Sequence, residues 1–482
     1  MSGLLGQALP LLPELLLTAT ALGLLLVARC WSRPAVVGEL TLAAFGGALV
    51  SLLALGGPAA PAQALCQGML VRTPLTAFFQ VGVLGVMLLI TLLLLGYAPL
   101  ARMPWAECFS LLLLSTVGLL LLIGAQSVVM IYVGLELVSL TSYLLTGFLR
   151  QEATSAEAGL KYFLYGTLAT AMMLYGIGWL YGATGTLDLP TLTAQLLGGS
   201  HPHHPMILVG ILLLTVGLGF KVGLVPFHHW APDAYEGAPT PIAAFISAGP
   251  KLAGFAVLLR LFWLAFRGVT AEWAPVLEVL AILTMTLGNV AALWQTNVKR
   301  LLAYSSIAQA GYIVIGVVAA SGTGAIAVGY YVVAYVLMNV AAFACVIAVS
   351  NATGRDDISA YAGLAQTQPV LAAAFAIALL SLAGIPPTAG FLAKVGIFVA
   401  ALQSGRLLLA IAAAINSVIA VAYYAVLLKQ MYLKAPAPDA RAAATPWPLA
   451  VALGASLAGL LLFGLWPAPL WSWLSAALPV TL

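Results

Sequence analysis

Long apolar runs follow one another along almost the whole chain, and they constrain its fold more than any other feature. The run LLLLSTVGLLLLIG at residues 111–124 contains no charged residue and does not alternate between apolar and polar positions. Lipid offers the backbone no hydrogen-bond partner, so runs of this kind predict helices that cross a membrane. Short alternating strands, which a membrane β-barrel requires, are not what this pattern shows.

The composition excludes the common soluble classes of protein. Only 7% of the residues are charged and 63% are hydrophobic, whereas a soluble domain has about a quarter of its residues charged. The formal net charge is +4, and no cluster of Lys and Arg is suited to a nucleic-acid backbone. An ordinary soluble enzyme, a disordered chain and a nucleic-acid binder are therefore excluded.

The apolar runs predict an all-α polytopic membrane protein. Because roughly 20 apolar residues cross a bilayer, the chain has room for about fourteen transmembrane helices. The predicted spans are residues 10–28, 36–55, 74–97, 107–124, 127–149, 160–184, 205–230, 240–268, 273–294, 301–320, 323–349, 369–403, 407–433 and 446–476.

The basic residues of the connections predict the orientation. The connections after odd-numbered spans hold nine Lys and Arg residues, and those after even-numbered spans hold three. Since basic loops tend to stay in the cytoplasm, both termini are predicted to face away from it. The nine are Arg29, Arg33, Arg102, Arg150, Lys299, Arg300, Arg355, Lys434 and Arg441, and the three are Arg72, Arg267 and Arg406.

Two of the spans contain prolines that break a helix. Span seven reads GLGFKVGLVPFHHWAPD with Pro226, and span twelve reads SLAGIPPTAGFLAK with Pro386 and Pro387. Proline removes a backbone donor and clashes with the preceding turn, and paired broken helices indicate a transporter built from repeats. The breaks predict two five-helix units, at residues 107–268 and 269–433, preceded by helices one to three (1–106) and followed by a loop and helix fourteen (434–482).

The most informative ionisable residues inside the predicted spans are flanked on both sides by apolar or small residues, and they are Glu136, Lys221, Lys251 and Lys394. Even low estimates put the cost of a charge at the centre of a bilayer at roughly 2.5–3.5 kcal/mol. Several ionisable residues in the spans therefore predict a polar interior. Burial disfavours the charged form of an amine and a nearby carboxylate opposes that effect, which makes a Glu–Lys pair suited to moving a proton. Glu136 and Lys221 are the predicted pair, although buried ion pairs can also be purely structural.

Other polar residues leave more than one interpretation open. Glu157 and Lys161 are spaced i, i+4, which favours an interfacial ion pair over a proton-transfer role. The histidines His228 and His229 could contribute to proton transfer, because histidine titrates near neutral pH. Tyr and Trp residues near span ends predict aromatic belts at the membrane interfaces.

Three motifs resemble the proton-translocating, antiporter-like subunits of respiratory complex I. They are PFHHWAPDAYEGAPTPIAAFISAGPK at 226–251, NVKRLLAYSSIAQAGY at 297–312 and SLAGIPPTAGFLAKVGIF at 381–398. The EGAPTP form is most similar to the subunit N type within that family. The resemblance implies fourteen helices with two inverted five-helix repeats, of which the broken helices are seven and twelve. Its proton-relay residues match the positions of Glu136, Lys221, Lys251, Lys394, His228 and Lys161.

The resemblance also implies a function. The chain is expected to be a proton-translocating membrane subunit of a bacterial NADH–quinone oxidoreductase in the cell inner membrane. No cofactor is expected in this chain; NADH, FMN, iron–sulfur clusters and quinone are expected in partner subunits. The expected partners are other membrane and peripheral subunits, including other antiporter-like ones. Three alternatives stay open. They are a subunit of a multi-subunit Na⁺/H⁺ antiporter without redox chemistry, a subunit of a photosynthetic or archaeal complex of the same family that uses ferredoxin or another electron donor, and a scaffold that only transmits conformational change.

Overall fold

The computed structural model describes residues 9–27, 34–55, 62–198, 204–436 and 445–478. Almost all of the regular structure in these ranges is helical. The helices are α1 (Leu12–Val27), α2 (Pro34–Ala54), α3 (Pro74–Leu95), α4 (Trp105–Gly124), α5 (Val128–Thr146), α6 (Ala153–Thr184), α7 (Leu189–Leu197), α8 (His204–Val222), α9 (Trp230–Gly237), α10 (Thr240–Leu258), α11 (Thr270–Ala292), α12 (Val298–Val318), α13 (Gly322–Thr353), α14 (Leu364–Thr367), α15 (Pro369–Ala383), α16 (Ala389–Gln403), α17 (Leu407–Leu433), α18 (Trp447–Leu465) and α19 (Ala468–Ala477).

The predicted all-α polytopic membrane fold is confirmed. In the described ranges, thirteen helices are long and apolar enough to cross a membrane, and the shorter apolar helices α15 and α16 together occupy the predicted twelfth span. Several of the described connections hold structure that the sequence did not predict. An antiparallel hairpin of β1 (Gln63–Leu65) and β2 (Leu70–Arg72) precedes α3. The short helix α7 buries Leu189, Leu192 and Leu196 along one face.

Three helices form the centre of the molecule. Every residue of α10 is buried, and α12 and α13 are buried along most of their length. Outer helices such as α6 and α17 expose large apolar side chains, as expected of surfaces that face lipid or partner helices. Lys251 lies on α10, so the fold places this lysine in the buried centre of the molecule.

The two broken helices have the same local structure. The first half of each ends at a glycine in the left-handed conformation, Gly223 with φ 81° and Gly384 with φ 85°. Glycine adopts this conformation without a steric cost and therefore commonly ends helices. The amide after each glycine donates to the carbonyl five residues earlier, at 2.7 and 2.9 Å, and a cis bond to Pro226 or Pro387 follows. The two repeated five-helix units and their boundaries stay predictions.

Helices α4 and α5 approach each other closely at a glycine. A Cβ atom added to Gly134 on α5 would lie 2.9 Å from both Cα and N of Leu122 on α4. Backbone cannot move away as the end of a flexible side chain can. The contact between these helices therefore depends on the absence of a side chain at this position.

We expect Gly134→Leu to separate α4 from α5 and to lower the free energy of unfolding by about 1–3 kcal/mol or more, because overpacking displaces backbone. The matched control is Gly178→Leu on α6, where an added Cβ meets nothing within 4 Å. The measurement is the melting temperature of the detergent-solubilised protein together with its abundance in membranes. Equal stability of the two variants would contradict the close approach.

Candidate functional site

Lys221 lies in the last turn of α8, directly before the first break. Its side chain is 1% exposed, and Nζ donates to Oγ of Ser139 on α5 at 3.2 Å. The half-buried Glu136 lies one turn before Ser139 and interacts electrostatically with Lys221. The fold thus brings together the two residues that the sequence paired, with a serine hydroxyl as the acceptor for the lysine.

Lys251 is buried against α12 and α13. Its Nζ donates to the backbone carbonyl oxygen of Ser306 at 2.7 Å and to Oγ of the same serine at 2.5 Å. The ring of Tyr335 lies 5.6 Å from Nζ, a distance at which the ring face attracts a cation. A Cβ added to Gly223 would lie 3.8 Å from Nζ. The amine of Lys251 therefore faces the first helix break.

Lys394 folds back over the second helix break. Its Nζ donates at 2.8 Å to the carbonyl oxygen of Ala383, the last residue of α15. The last carbonyls of a helix lack partners within that helix, so the break supplies the acceptor. The ring of Tyr312 lies 4.8 Å from Nζ. A Cβ added to Gly384 would lie 2.7 Å from Cδ of the lysine, which shows that the side chain crosses the glycine.

One face of α12 connects the surroundings of the last two lysines. Ser306, Gln309 and Tyr312 are spaced three residues apart and so lie along one face of the helix. The rise of an α-helix puts the first and last of them about 9 Å apart along the axis. Between them, Gln309 donates from Nε2 to the carbonyl of Leu382 at 3.0 Å and accepts from the hydroxyl of Tyr331 at 2.6 Å. Polar groups thus continue from Lys251 towards Lys394.

His228 and Lys161 lie outside this arrangement. His228 is buried at the first break, and among the described residues its Nδ1 has no hydrogen-bond partner. Lys161 has a side chain that is 40% exposed and pairs with Glu157 at 2.6 Å and Asp233 at 2.8 Å. Its geometry therefore agrees with the interpretation as an ion pair near the surface, and the role implied by the resemblance stays a prediction.

A charged cluster that the sequence did not predict joins three helices. It consists of Glu157 and Lys161 on α6, Asp233 and Glu236 on α9, and Arg300 on α12. Arg300 contacts Oδ1 of Asp233 at 2.6 Å and Oε2 of Glu236 at 2.7 Å through the same nitrogen, Nη1. The i, i+3 spacing of the two acids directly after a break was a usable signal. Their basic partner, however, lies more than sixty residues away.

Several tyrosines lie inside the bundle, away from the span ends for which interfacial belts are predicted. Tyr312, Tyr331, Tyr335, Tyr423 and Tyr424 are fully buried in the second half of the chain. Their hydroxyls have polar partners, as with Tyr424, which lies 2.5 Å from Oγ of Ser305. The i, i+4 spacing of Tyr331 and Tyr335 within a long apolar helix could have indicated a common buried face.

No group of three or more His, Cys, Asp or Glu residues suited to a metal ion occurs in the ranges that the structure describes.

Amines buried beside two broken helices, inside a bundle with room for fourteen spans, define a class of membrane protein with an ionisable interior. Such residues mark ion or proton pathways. Residues 125–420 match the sequence model of the family described as "NADH:quinone oxidoreductase/Mrp antiporter, TM". The match covers more than half of the chain. The chain belongs to this family of antiporter-like membrane subunits.

Individual relatives agree with this assignment. The chain is 41% identical to NADH-quinone oxidoreductase subunit N 2 of Symbiobacterium thermophilum, over 88% of this chain and 87% of the relative. It is also 41% identical to NAD(P)H-quinone oxidoreductase subunit 2 of Thermosynechococcus vestitus, over 88% and 82%.

Solved structures share the fold. A chain of respiratory complex I from Thermus thermophilus, solved with bound aureothin, has a TM-score of 0.81 and 34% identity, covering 96% of this chain and 99% of that one. A chain of the Mrp complex of a Dietzia species has a TM-score of 0.85 at 22% identity, covering 97% and 96%. At that identity the second likeness concerns the fold alone.

We expect Arg300→Gln to lower the free energy of unfolding by about 1–3 kcal/mol, because Asp233 and Glu236 would lose their shared cation and repel each other. The matched control is Arg355→Gln, since Arg355 is exposed and forms an ion pair with the exposed Asp357 at 3.3 Å. Exposed pairs contribute about 0–1 kcal/mol. Thermal unfolding of the two purified variants measures the difference. If Arg300→Gln and Arg355→Gln have the same melting temperature, the cluster does not hold α9 against α12.

Proposed function

We propose that this chain is a proton-translocating membrane subunit of an NADH–quinone oxidoreductase. The observation that carries the proposal is the burial of Lys221, Lys251 and Lys394, each with its amine hydrogen-bonded to protein groups near a broken helix. The family assignment and the names of the relatives support the same function. The chain's part in the reaction is the movement of protons across the membrane, as a subunit of a larger translocase.

The proton relay that we propose begins at Glu136. A carboxylate and an amine that interact electrostatically change each other's proton affinity, so a change in the charge of Glu136 changes the protonation of Lys221. Lys251 receives the proton in the middle of the molecule, and Lys394 exchanges it with the far side. His228 lies at the break between Lys221 and the centre and is a further candidate in this relay. Lys161 acts at the edge of this relay through the charged cluster.

Electron transfer belongs to the partner subunits in this proposal. NADH, flavin, iron–sulfur clusters and quinone bind there, and their reactions bias the charge at one end of the membrane subunits. The exposed side of α5 is suited to contact with a neighbouring membrane subunit. Glu136 is only half-buried there, and Val133 and Leu140 beside it are exposed. Another antiporter-like subunit would cover this carboxylate and shield it from lipid.

The proposed location is the bacterial inner membrane, with both termini on the non-cytoplasmic side. One observation supports the prediction that connections after odd-numbered spans share one side of the membrane. The connections after spans three, five, nine and eleven meet at a single polar cleft of about 450 Å³, lined among others by Tyr97, Glu152, Lys299 and Asp356. Burial raises the pKa of Tyr97 to about 12, which keeps this phenol neutral.

We retain the two five-helix units, 107–268 and 269–433, as part of the proposal.

We expect Lys221→Ala to abolish NADH-driven proton pumping while NADH oxidation by the peripheral subunits with an artificial acceptor continues. Removal of the amine interrupts the relay beside Glu136. The control is Lys429→Ala, which removes an exposed lysine from α17. The measurement is acidification of inverted membrane vesicles, with subunit content checked by immunoblotting.

The outcomes separate the three candidate functions. Full pumping by Lys221→Ala would contradict the proposal and favour a scaffold. Sodium–proton exchange that proceeds without NADH or another electron donor would instead favour an antiporter subunit without redox chemistry. Loss of pumping in the Lys429→Ala control as well would mean that the assay does not report on the relay.

A further inference from the structure

The hydroxyl of Ser306 on α12 has three polar neighbours. Nζ of Lys251 lies at 2.5 Å, the hydroxyl of Tyr335 at 2.7 Å and the hydroxyl of Tyr235 at 3.0 Å. All four side chains are at most 1% exposed. The three neighbours come from three helices, α10, α13 and α9, which meet at this serine.

The valence of a hydroxyl restricts how these contacts can be made. A hydroxyl has one proton to donate and two lone pairs that accept. A charged lysine can only donate, so one lone pair of Ser306 accepts from Lys251. Of the two tyrosines, one then donates a hydrogen bond to Ser306, and the other accepts the hydrogen bond that Ser306 donates. The site therefore has two arrangements, which differ in whether Ser306 donates to Tyr235 or to Tyr335.

We propose that Ser306 is a proton junction, at which a proton from Lys251 leaves either towards Tyr235 or towards Tyr335. This inference rests on the proposed role of Lys251 in proton translocation. It adds a residue and a choice of direction that a relay of charged residues alone does not contain.

The transfer step conserves protons. An N–H bond of protonated Lys251 breaks as its proton moves to Oγ of Ser306, while the proton already on Ser306 moves to the hydroxyl oxygen of one tyrosine. That tyrosine releases its own hydroxyl proton to a water molecule, which becomes a hydronium ion and carries the positive charge. Lys251 is left as a neutral amine, and Ser306 and the tyrosine are again neutral hydroxyls.

The two directions lead to different parts of the molecule. Tyr235 lies on α9, the helix that also carries Asp233 and Glu236 of the charged cluster. Tyr335 lies on α13, one turn from Tyr331, whose hydroxyl donates to Gln309 on the way to Lys394. A rotation of the Ser306 hydroxyl would thus direct the proton towards Tyr235 on α9 in one arrangement and towards Tyr335 on α13 in the other.

A substitution can remove the hydroxyl and still leave the lysine in place. In Ser306→Ala the backbone carbonyl that accepts from Lys251 at 2.7 Å is retained. The neighbouring Ser305 offers a matched control, because its hydroxyl contacts Tyr424 rather than Lys251. Ser306→Thr retains a hydroxyl at the junction, and Tyr235→Phe and Tyr335→Phe each remove one of the two directions.

The experiment measures the initial rate of NADH-driven proton pumping in vesicles that contain the complete complex, with subunit content checked for each variant. We expect Ser306→Ala to pump at least about tenfold more slowly, as loss of a hydrogen bond to a charged group implies. Ser305→Ala should pump normally and Ser306→Thr should pump measurably faster than Ser306→Ala. Tyr235→Phe and Tyr335→Phe should each lose most of the pumping.

The possible failures are distinguishable. Normal pumping by Ser306→Ala together with loss of pumping in Lys251→Ala would overturn the junction and leave the proposed function intact. Normal pumping by Lys251→Ala would overturn the relay itself. Equal loss in Ser306→Ala and Ser306→Thr, at normal subunit content, would show that packing rather than the hydroxyl matters and would also overturn the junction.

Discussion

The cost of placing an ammonium group inside a membrane protein governs much of this structure. Transfer of such a group out of water costs several kcal/mol even after relaxation, so each buried lysine needs acceptors from the protein. Lys251 obtains a backbone carbonyl and a hydroxyl from Ser306, and Lys394 obtains the last carbonyl of α15. The break after α15 exists because Gly384 and the following prolines end the helix, and the break exposes the carbonyl that the lysine needs. The lysine and the broken helix therefore depend on each other.

The central helices turn these local contacts into one arrangement. The fully buried α10 presents Lys251, while one face of α12 presents Ser306, Gln309 and Tyr312. Since Ser306 contacts Lys251 and Tyr312 lies under Lys394, α12 relates the two lysines over about two helical turns. The outer helices surround these groups with apolar side chains. The same low polarity that makes the charges costly also makes their protonation sensitive to neighbouring charges, which is the property that a proton relay uses.

The sequence predicted the spans, both breaks and the four ionisable residues because each has a local signal. Apolar runs of sufficient length identify a membrane helix, a proline identifies a break, and a charge inside an apolar run is conspicuous at once. The pairing of Arg300 with Asp233 and the burial of the tyrosines depend on contacts between helices distant in sequence. Local spacing could indicate a common face, but it does not identify the partner that covers that face. Ser306 has no signal of its own, since a serine in a membrane helix commonly bonds its own backbone. The hairpin before α3 and the short helix α7 were missed because their segments are too short for a periodic pattern.

A map of the assembled complex that resolves ordered water molecules would test the central claim most directly, namely that the buried ionisable residues form one hydrated line. The account predicts ordered waters or polar side chains in continuous hydrogen-bond contact from Glu136 and Lys221, past Lys251 and Ser306, to Lys394. Dry apolar packing between Lys251 and Lys394, or lysine amines turned outward to the lipid, would contradict it.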